Sequence, residues 1–379
     1  KFSVEESRDL LNQISYSAVS DERAQDINEQ CAGWPGAMIM AMQGSEIRPE
    51  RNAGGELFSE YLAEEMLERQ PQELQDFLIT TSIFPILIPK ACDILMGIDN
   101  SLEHLKELAR QNLAIEVAAP DEVTAYAYHS LLRQLTRTRL HDREQNSLEE
   151  LGARAGDQLR ERGYWEEALD VYSDVGAYIP AADLLVVVSE QMAAEKQWKK
   201  LASVVDLLPK PVITSVPELA IRRAHAATEA GDLAYASQLL DEVASQNERE
   251  DFAEHMPWML LEKSNIKLHQ SETKEAQGLI LQAQRLMESQ DSDPTVVAQA
   301  HHALGLSYAI SRQFTDAKAS LELGLEFCDS NFELERMSAK IRSDLGTLMA
   351  DNGNSRFAKV QFERAAQTNE RLGDDLGRI

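Results

Sequence analysis

Three cysteines in 379 residues, Cys31, Cys92 and Cys328, cannot form a disulfide framework, and no CxxC pair offers a metal knuckle. They read as reduced, small apolar residues. Aromatic residues make up only 6% and glycines number 18, which argues against an all-β chain built on tight turns. Basic side chains are outnumbered, 37 Lys and Arg against 64 Asp and Glu, leaving a formal charge of -27. A duplex-binding surface needs clustered cations, so no direct DNA binding is expected of this segment. No apolar run reaches the roughly 18 residues of a membrane helix. The nearest, FLITTSIFPILIPKACDILMGI, is broken by Pro85, Pro89 and Lys90. No signal peptide opens the chain, and a cytoplasmic protein without membrane contact is the expectation.

Catalytic signatures are missing as well. There is no GxxxxGK[ST] phosphate loop, no GxSxG elbow, no HExxH and no glycine-rich dinucleotide fingerprint. DLLVVVSE, the nearest run to an apolar strand ending in acids, closes on Ser189 and Glu190. Paired acids such as Glu64 with Glu65 and Glu149 with Glu150 read as solvated helix faces. No enzyme activity, catalytic residue or metal ligand is therefore assigned.

What remains is helix-forming sequence. From about residue 148 a pattern recurs in which a polar turn, a bulky residue and a small residue follow one another: RGYWEEAL, EKQWKKLA, AGDLAYAS, QSETKEAQ, SRQFTDAK and DNGNSRFAKV. Its register positions are Ala168, Leu201, Ala236, Ala276, Ala317 and Ala358, spaced 33, 35, 40, 41 and 41 residues apart. The first two spacings fit the 34-residue tetratricopeptide (TPR) period, and the later ones require longer helices or longer connections. Each unit is a helix hairpin that cannot bury its apolar face alone, so neighbours stack. The small residue lets two helices approach, while Trp165, Trp198 or Phe314 fills the gap. Gly305 with Tyr308, and Gly346, fall where the first helix of such a repeat prefers a small residue and then an aromatic. Arg222, Arg223, His225, His301 and His302 are candidates for a ligand groove. Adjacent His301 and His302 cannot face one zinc ion from a helix, and a histidine pair on a polar helix is expected to be solvated.

The first 145 residues differ. Ser3 and Glu6 form a capping-box pattern, Gly33 and Pro35 break CAGWPGAMIMAM, and LFSEYLAEEMLERQPQELQDFLITTSIF reads as two helices parted by Gln70 and Pro71. Two short segments, AIEVAAP and TAYAYH, flank a turn at Pro120 and Asp121. A helix with Leu131, Leu132 and Leu135 on its apolar face follows, which places His129 where an extended segment becomes a helix. Helices, a β-ribbon and another helix make a winged-helix pattern. His129 is either a structural cap or a contact to a ligand.

The succession CAGWPGAMIMAM, LFSEYLAEEMLERQPQELQDFLITTSIF, LKELARQNLAIEV and YAYHSLLRQLTRTRL, followed by helical repeats, resembles the signal-transduction ATPases with numerous domains (STAND). Within them it looks like the MalT-like bacterial transcription regulators, whose effector is often a LuxR-family helix-turn-helix domain. The resemblance implies a mainly α fold. A helical domain with a Gly-x-Pro element spans residues 1–55, a winged helix 56–145 and a TPR-like α-superhelix 146–379. It implies that His129 matches the winged-helix histidine that touches ADP phosphates in the resting state. Pro35 then matches the proline packed near the adenine. An imidazole can donate to a phosphate, and a proline ring presents an apolar edge to a base.

ADP or ATP would bind only in the full-length protein, a small-molecule inducer or protein would bind the arm, and activation would bring self-association. The chain begins at lysine and RLGDDLGRI stops within a helical series, so a piece of a longer product is expected. The alternative is a stand-alone TPR scaffold for protein–protein interaction, with the N-terminal helices as its cap. The codons before Lys1 separate the two: a phosphate loop there supports the switch, a start codon the scaffold.

Overall fold

The computed structural model describes residues 2–15, 18–31, 33, 35, 38, 39, 42, 64–118, 124–145, 147–245, 254–288, 293–329, 331 and 334–372. The fold is mainly α, and the chain divides into two compact units, Lys1–Leu184 and Leu185–Ile379.

In the first unit, α1 (Val4–Ile14) starts at the expected capping box. Ser3 Oγ accepts from the Glu6 amide at 3.2 Å, and the Ser3 amide donates to Glu6 Oε2 at 2.8 Å. Two of the helix's orphan donors are thereby satisfied. α2 (Asp21–Gln30) follows, capped by Ser20. Residues 64–69 are helical or turn, and Pro71 opens α3 (Gln72–Thr81), so the break at Gln70 and Pro71 stands where expected. α4 (Pro89–Met96) takes Pro89 as its first residue, where a missing amide costs nothing, and ends on Gly97 at φ 70°. α5 (Ser101–Arg110), β1 (Ala114–Ala118), β2 (Thr124–Tyr128) and α6 (Ser130–Arg143) complete a winged helix. The strands pair antiparallel from Ala114 opposite Tyr128 to Ala118 opposite Thr124. The expected turn at Pro120 and Asp121 lies outside the described residues.

A third, single-residue edge was not legible in the sequence. Leu87 and Tyr126 exchange backbone hydrogen bonds at 2.7 and 2.9 Å, holding the segment between Pro85 and Pro89 against the ribbon. Beneath it Phe77, Leu78, Phe84, Leu105, Leu108, Tyr126 and Leu132 are buried. Thr81 Oγ1 donates to the Phe77 carbonyl and lies 2.6 Å from the buried Tyr128 hydroxyl, which ties the end of α3 to the end of β2. Burial pushes the Tyr128 phenol well above its ordinary value, so it stays a neutral donor.

The repeat hairpins are α7/α8 (Leu148–Arg160, Trp165–Val175), α9/α10 (Tyr178–Ala194, Trp198–Val205), α12/α13 (Pro217–Glu229, Leu233–Ser245), α14/α15 (Met256–His269, Thr273–Glu288), α16/α17 (Pro294–Ile310, Phe314–Asp329) and α18/α19 (Glu335–Asp351, Ser355–Arg371). Short α11 (Lys210–Ser215) stands between the second and third. All six register positions in the second helices, from Ala168 to Ala358, are buried as expected. Twelve residues before each stands a second small buried residue in the first helix: Gly156, Ser189, Ala224, Ser264, Gly305 and Gly346. A Cβ at Gly156 would sit 2.2 Å from Tyr172, at Gly305 2.6 Å from Leu321, and at Gly346 2.8 Å from Phe362. Each partner lies sixteen residues downstream, so one packing register runs through the array. The lengthening from 33 to 41 residues falls entirely outside this twelve-residue interval, between one hairpin's register position and the next hairpin's small residue.

Each hairpin also turns through a left-handed residue five positions before its register residue: Gly163, Lys196, Gly231, Ser271, Arg312 and Gly353, with φ between 56° and 83°. A non-glycine residue there costs about 1 to 2 kcal/mol, of which glycine returns part through its freer unfolded chain. Replacing Lys196, Ser271 and Arg312 by glycine is therefore expected to stabilise the array by about 0.5 to 1 kcal/mol per site. Thermal unfolding checks this: the triple variant should melt higher than the parent and Gly231→Ala lower. A triple variant that melts lower would show that the left-handed turns carry no strain.

Candidate functional site

His129 is the N-cap of α6, at φ -59° and ψ 141°, directly after β2. The expected change from extended to helical backbone thus occurs at this residue. Its amide donates to the Leu113 carbonyl at 3.4 Å, prolonging the ribbon, and its Nδ1 accepts from the Leu131 amide at 3.4 Å. The capping bond orients the imidazole, which is half-buried, with its Nε2 enclosed. The apolar face of α6 is centred differently from the expectation. Leu132, Thr136 and Leu140 are buried, whereas Leu131 and Leu135 are only half-buried. The i, i+4, i+8 stripe points into the winged-helix core, and Thr136 tolerates burial by donating to the Leu132 carbonyl at 2.8 Å. Pro35 is helical and half-buried, and Trp34 and Gly36 beside it lie outside the described residues.

The arm candidates are engaged within the second unit. Arg222 donates to the Val186 carbonyl and to Ser189 Oγ, and Arg223 forms a two-pronged pair with Asp206 at 2.7 and 2.9 Å while lying over the Tyr235 ring. The histidine pair departs from the solvated expectation. His302 is 2% exposed and its Nε2 lies 2.7 Å from Asp344 Oδ2, joining α16 to α18. His301 is half-buried and stacks on Phe327 at 5.6 Å. His225 Nδ1 lies 2.8 Å from Glu262 Oε2, joining α12 to α14, and its ring meets the edge of Trp198 at 4.7 Å. Glu262 also accepts from Thr228 at 3.0 Å and from Asn265 at 3.4 Å.

The two pairs shift their histidines in opposite directions. Burial alone would lower His225, but the hydrogen bond and charge of Glu262, with Glu229 farther off, outweigh it and raise its pKa despite Lys340. For His302, burial prevails over Asp344 and the pKa falls. Glu262 thus favours the imidazolium form of His225, whereas burial favours the neutral ring at His302. Glu262 and Asp344 were missed by sequence reasoning. The available signal was a lone acid amid the apolar run MPWMLLEKSNIKL. Cys31, Cys92 and Cys328 are free and buried, and burial raises all three thiols, Cys31 to about 12, which suits inert packing residues. Among the described residues no cluster of three metal-ligating side chains occurs and no helix is long and apolar enough to cross a membrane.

The described residues combine a winged helix with TPR-like helix hairpins. Residues 63–148 match the MalT winged helix domain. The chain is 26% identical over 166 residues to the HTH-type transcriptional regulator MalT of Yersinia pestis, covering 44% of this chain and 18% of that protein. It is 22% identical over 222 residues to the serine/threonine-protein kinase PknK of Mycobacterium tuberculosis, covering 57% and 20%. The chain thus aligns with about a fifth of the length of these relatives. Among solved structures it is similar in fold to the STAND protein with a tetratricopeptide repeat sensor, PH0952, from Pyrococcus horikoshii. The TM-score is 0.68 at 14% identity, over 100% of this chain and 55% of that one. Residues 63–148 thus carry a winged helix of the MalT type, and the chain as a whole is similar to MalT in sequence and to a STAND protein in fold.

Proposed function

We propose that this chain is the regulatory and sensor segment of a STAND-type transcription regulator. The winged helix helps hold ADP in the resting state through His129, with Pro35 from residues 1–55 against the base. The repeat arm takes an inducer or a partner protein. The observation that carries the reading is the MalT-type winged helix with a histidine capping the helix after its ribbon. An imidazole whose Nδ1 accepts the capping bond carries its proton on Nε2, the kind of donor a phosphate would require. Regulation is then a population shift: ADP favours a closed form, while an arm ligand together with ATP favours an open form that self-associates.

The test is calorimetry of ADP binding to the full-length gene product. His129→Ala should weaken binding about tenfold, roughly 1.4 kcal/mol, with the helix content intact. Unchanged ADP affinity in a folded variant would leave His129 as a structural cap and refute the assignment.

A further inference from the structure

Between α6 and α8 of the first unit lies a cleft of about 450 Å³, walled by Ser130, Arg133, Gln134 and Arg137 on one side and by Asp170 and Asp174 on the other. Arg133 and Arg137 stand one helical turn apart, on the same face and with like charge. Both are withdrawn from water, and burial lowers the pKa of each, with Arg133 adding repulsion at Arg137. A guanidinium remains protonated all the same, so the desolvation must be offset by partners.

Those partners are incomplete. Arg137 pairs with Asp174 through one terminal nitrogen. Its Nη1 and the Nε of Arg133 are buried and have no hydrogen-bond partner among the described residues. Asp170 is near enough for its charge to be felt at Arg133. The acids are at the rim: the Asp174 side chain is 59% exposed and that of Arg137 only 21%. Water therefore screens the exposed Asp174 carboxylate more than the half-buried Arg137 guanidinium.

We propose that this cleft is an oxyanion site, taking a phosphoryl or carboxylate group held by the guanidinium groups of Arg133 and Arg137, whose enclosed Nε and Nη1 donors turn toward it on binding. Such charge-assisted bonds are short and strong, and the planar donors fix the orientation of the group they hold. Asp174 acts as an internal competitor for Arg137, so binding is exchange of one acceptor for another. The site stands apart from the His129 reading, since neither arginine is needed for it.

Orthophosphate titrated into the chain at constant ionic strength, followed by the arginine Nε–H resonances, tests this. A saturable shift at Arg133 is expected. Arg133→Met, which keeps most of the stem, should weaken phosphate about tenfold or more, and Arg133→Lys, which keeps the charge without the planar donor, should weaken it less. Asp174→Asn should tighten it, because the competing charge is gone. No saturable response, indifference to both Arg133 substitutions in folded protein, or weaker binding in Asp174→Asn would overturn the site and leave a structural ion-pair cluster. Parallel titrations with acetate and ADP sort the source. Arg133-dependent ADP binding tighter than orthophosphate assigns the group to a nucleotide, equal affinities to free phosphate, and tighter acetate to a carboxylate.

Discussion

Replacing Glu262 by alanine is expected to destabilise the repeat array by about 3 kcal/mol, since removing one partner of a buried charged pair strands the other. His225 would lose its counter-charge, Thr228 and Asn265 would lose an acceptor, and the ring would be left against Trp198 with its pKa lowered. Glu262→Gln should cost less, because an amide retains an acceptor but not the charge. Urea unfolding of both variants, with NMR titration of His225, checks this. A cost below about 1 kcal/mol, or an unmoved His225 titration in Glu262→Ala, would show that the pair is not held as ions.

The sign of the pH dependence follows from the two shifts. Because the pKa of His225 is raised on folding, its contribution is complete below the ordinary histidine value, near 6.5, and is lost as the pH climbs through the folded value. His302 is lowered, so it weakens the fold as the pH falls from that ordinary value toward its own. His302→Asn should remove the acid-side loss, leaving the alkaline-side loss from His225 in place.

Gly156→Ala is expected to cost about 2 to 3 kcal/mol, an overpacking penalty larger than the helix-propensity gain of alanine. The added methyl group would lie 2.2 Å from the buried Tyr172 ring, whose hydroxyl is anchored 2.6 Å from Asp157 and so cannot yield freely. Gly278→Ala provides the contrast. Nothing lies within 4 Å of the new atom there, and a gain of about 1 kcal/mol is expected from propensity alone. Thermal unfolding of the pair decides the matter: if the two variants shift the midpoint alike, the close approach of α7 and α8 imposes no constraint.

The second-helix register was legible because its positions are almost all alanine and follow a polar turn. Its counterpart in the first helices was half legible. Gly305 and Gly346 stand out, but Ser189, Ala224 and Ser264 fill the same position with commonplace residues that only the packing distinguishes. The ribbon could be read from two short extended segments, whereas the Leu87 bridge could not, because prolines on both sides of it suggest a loop. His129 was found at its junction, yet sequence alone could not tell a cap from a ligand contact. Cap geometry now accounts for one ring nitrogen. The paired histidines misled for a related reason. The acid that accommodates His302 lies 42 residues away, in the next hairpin, beyond any local pattern.

The fixed interval within each hairpin and the variable length between hairpins bear on how such an array can change. A residue inserted inside the interval would rotate the second helix by about 100° and turn its small residue away from the partner. The same insertion between hairpins would leave both packing seams intact. Hairpins of this kind therefore behave as cassettes: they can be duplicated, deleted or exchanged at their outer connections. The histidine–acid pairs then act as keys that determine which cassettes can be neighbours.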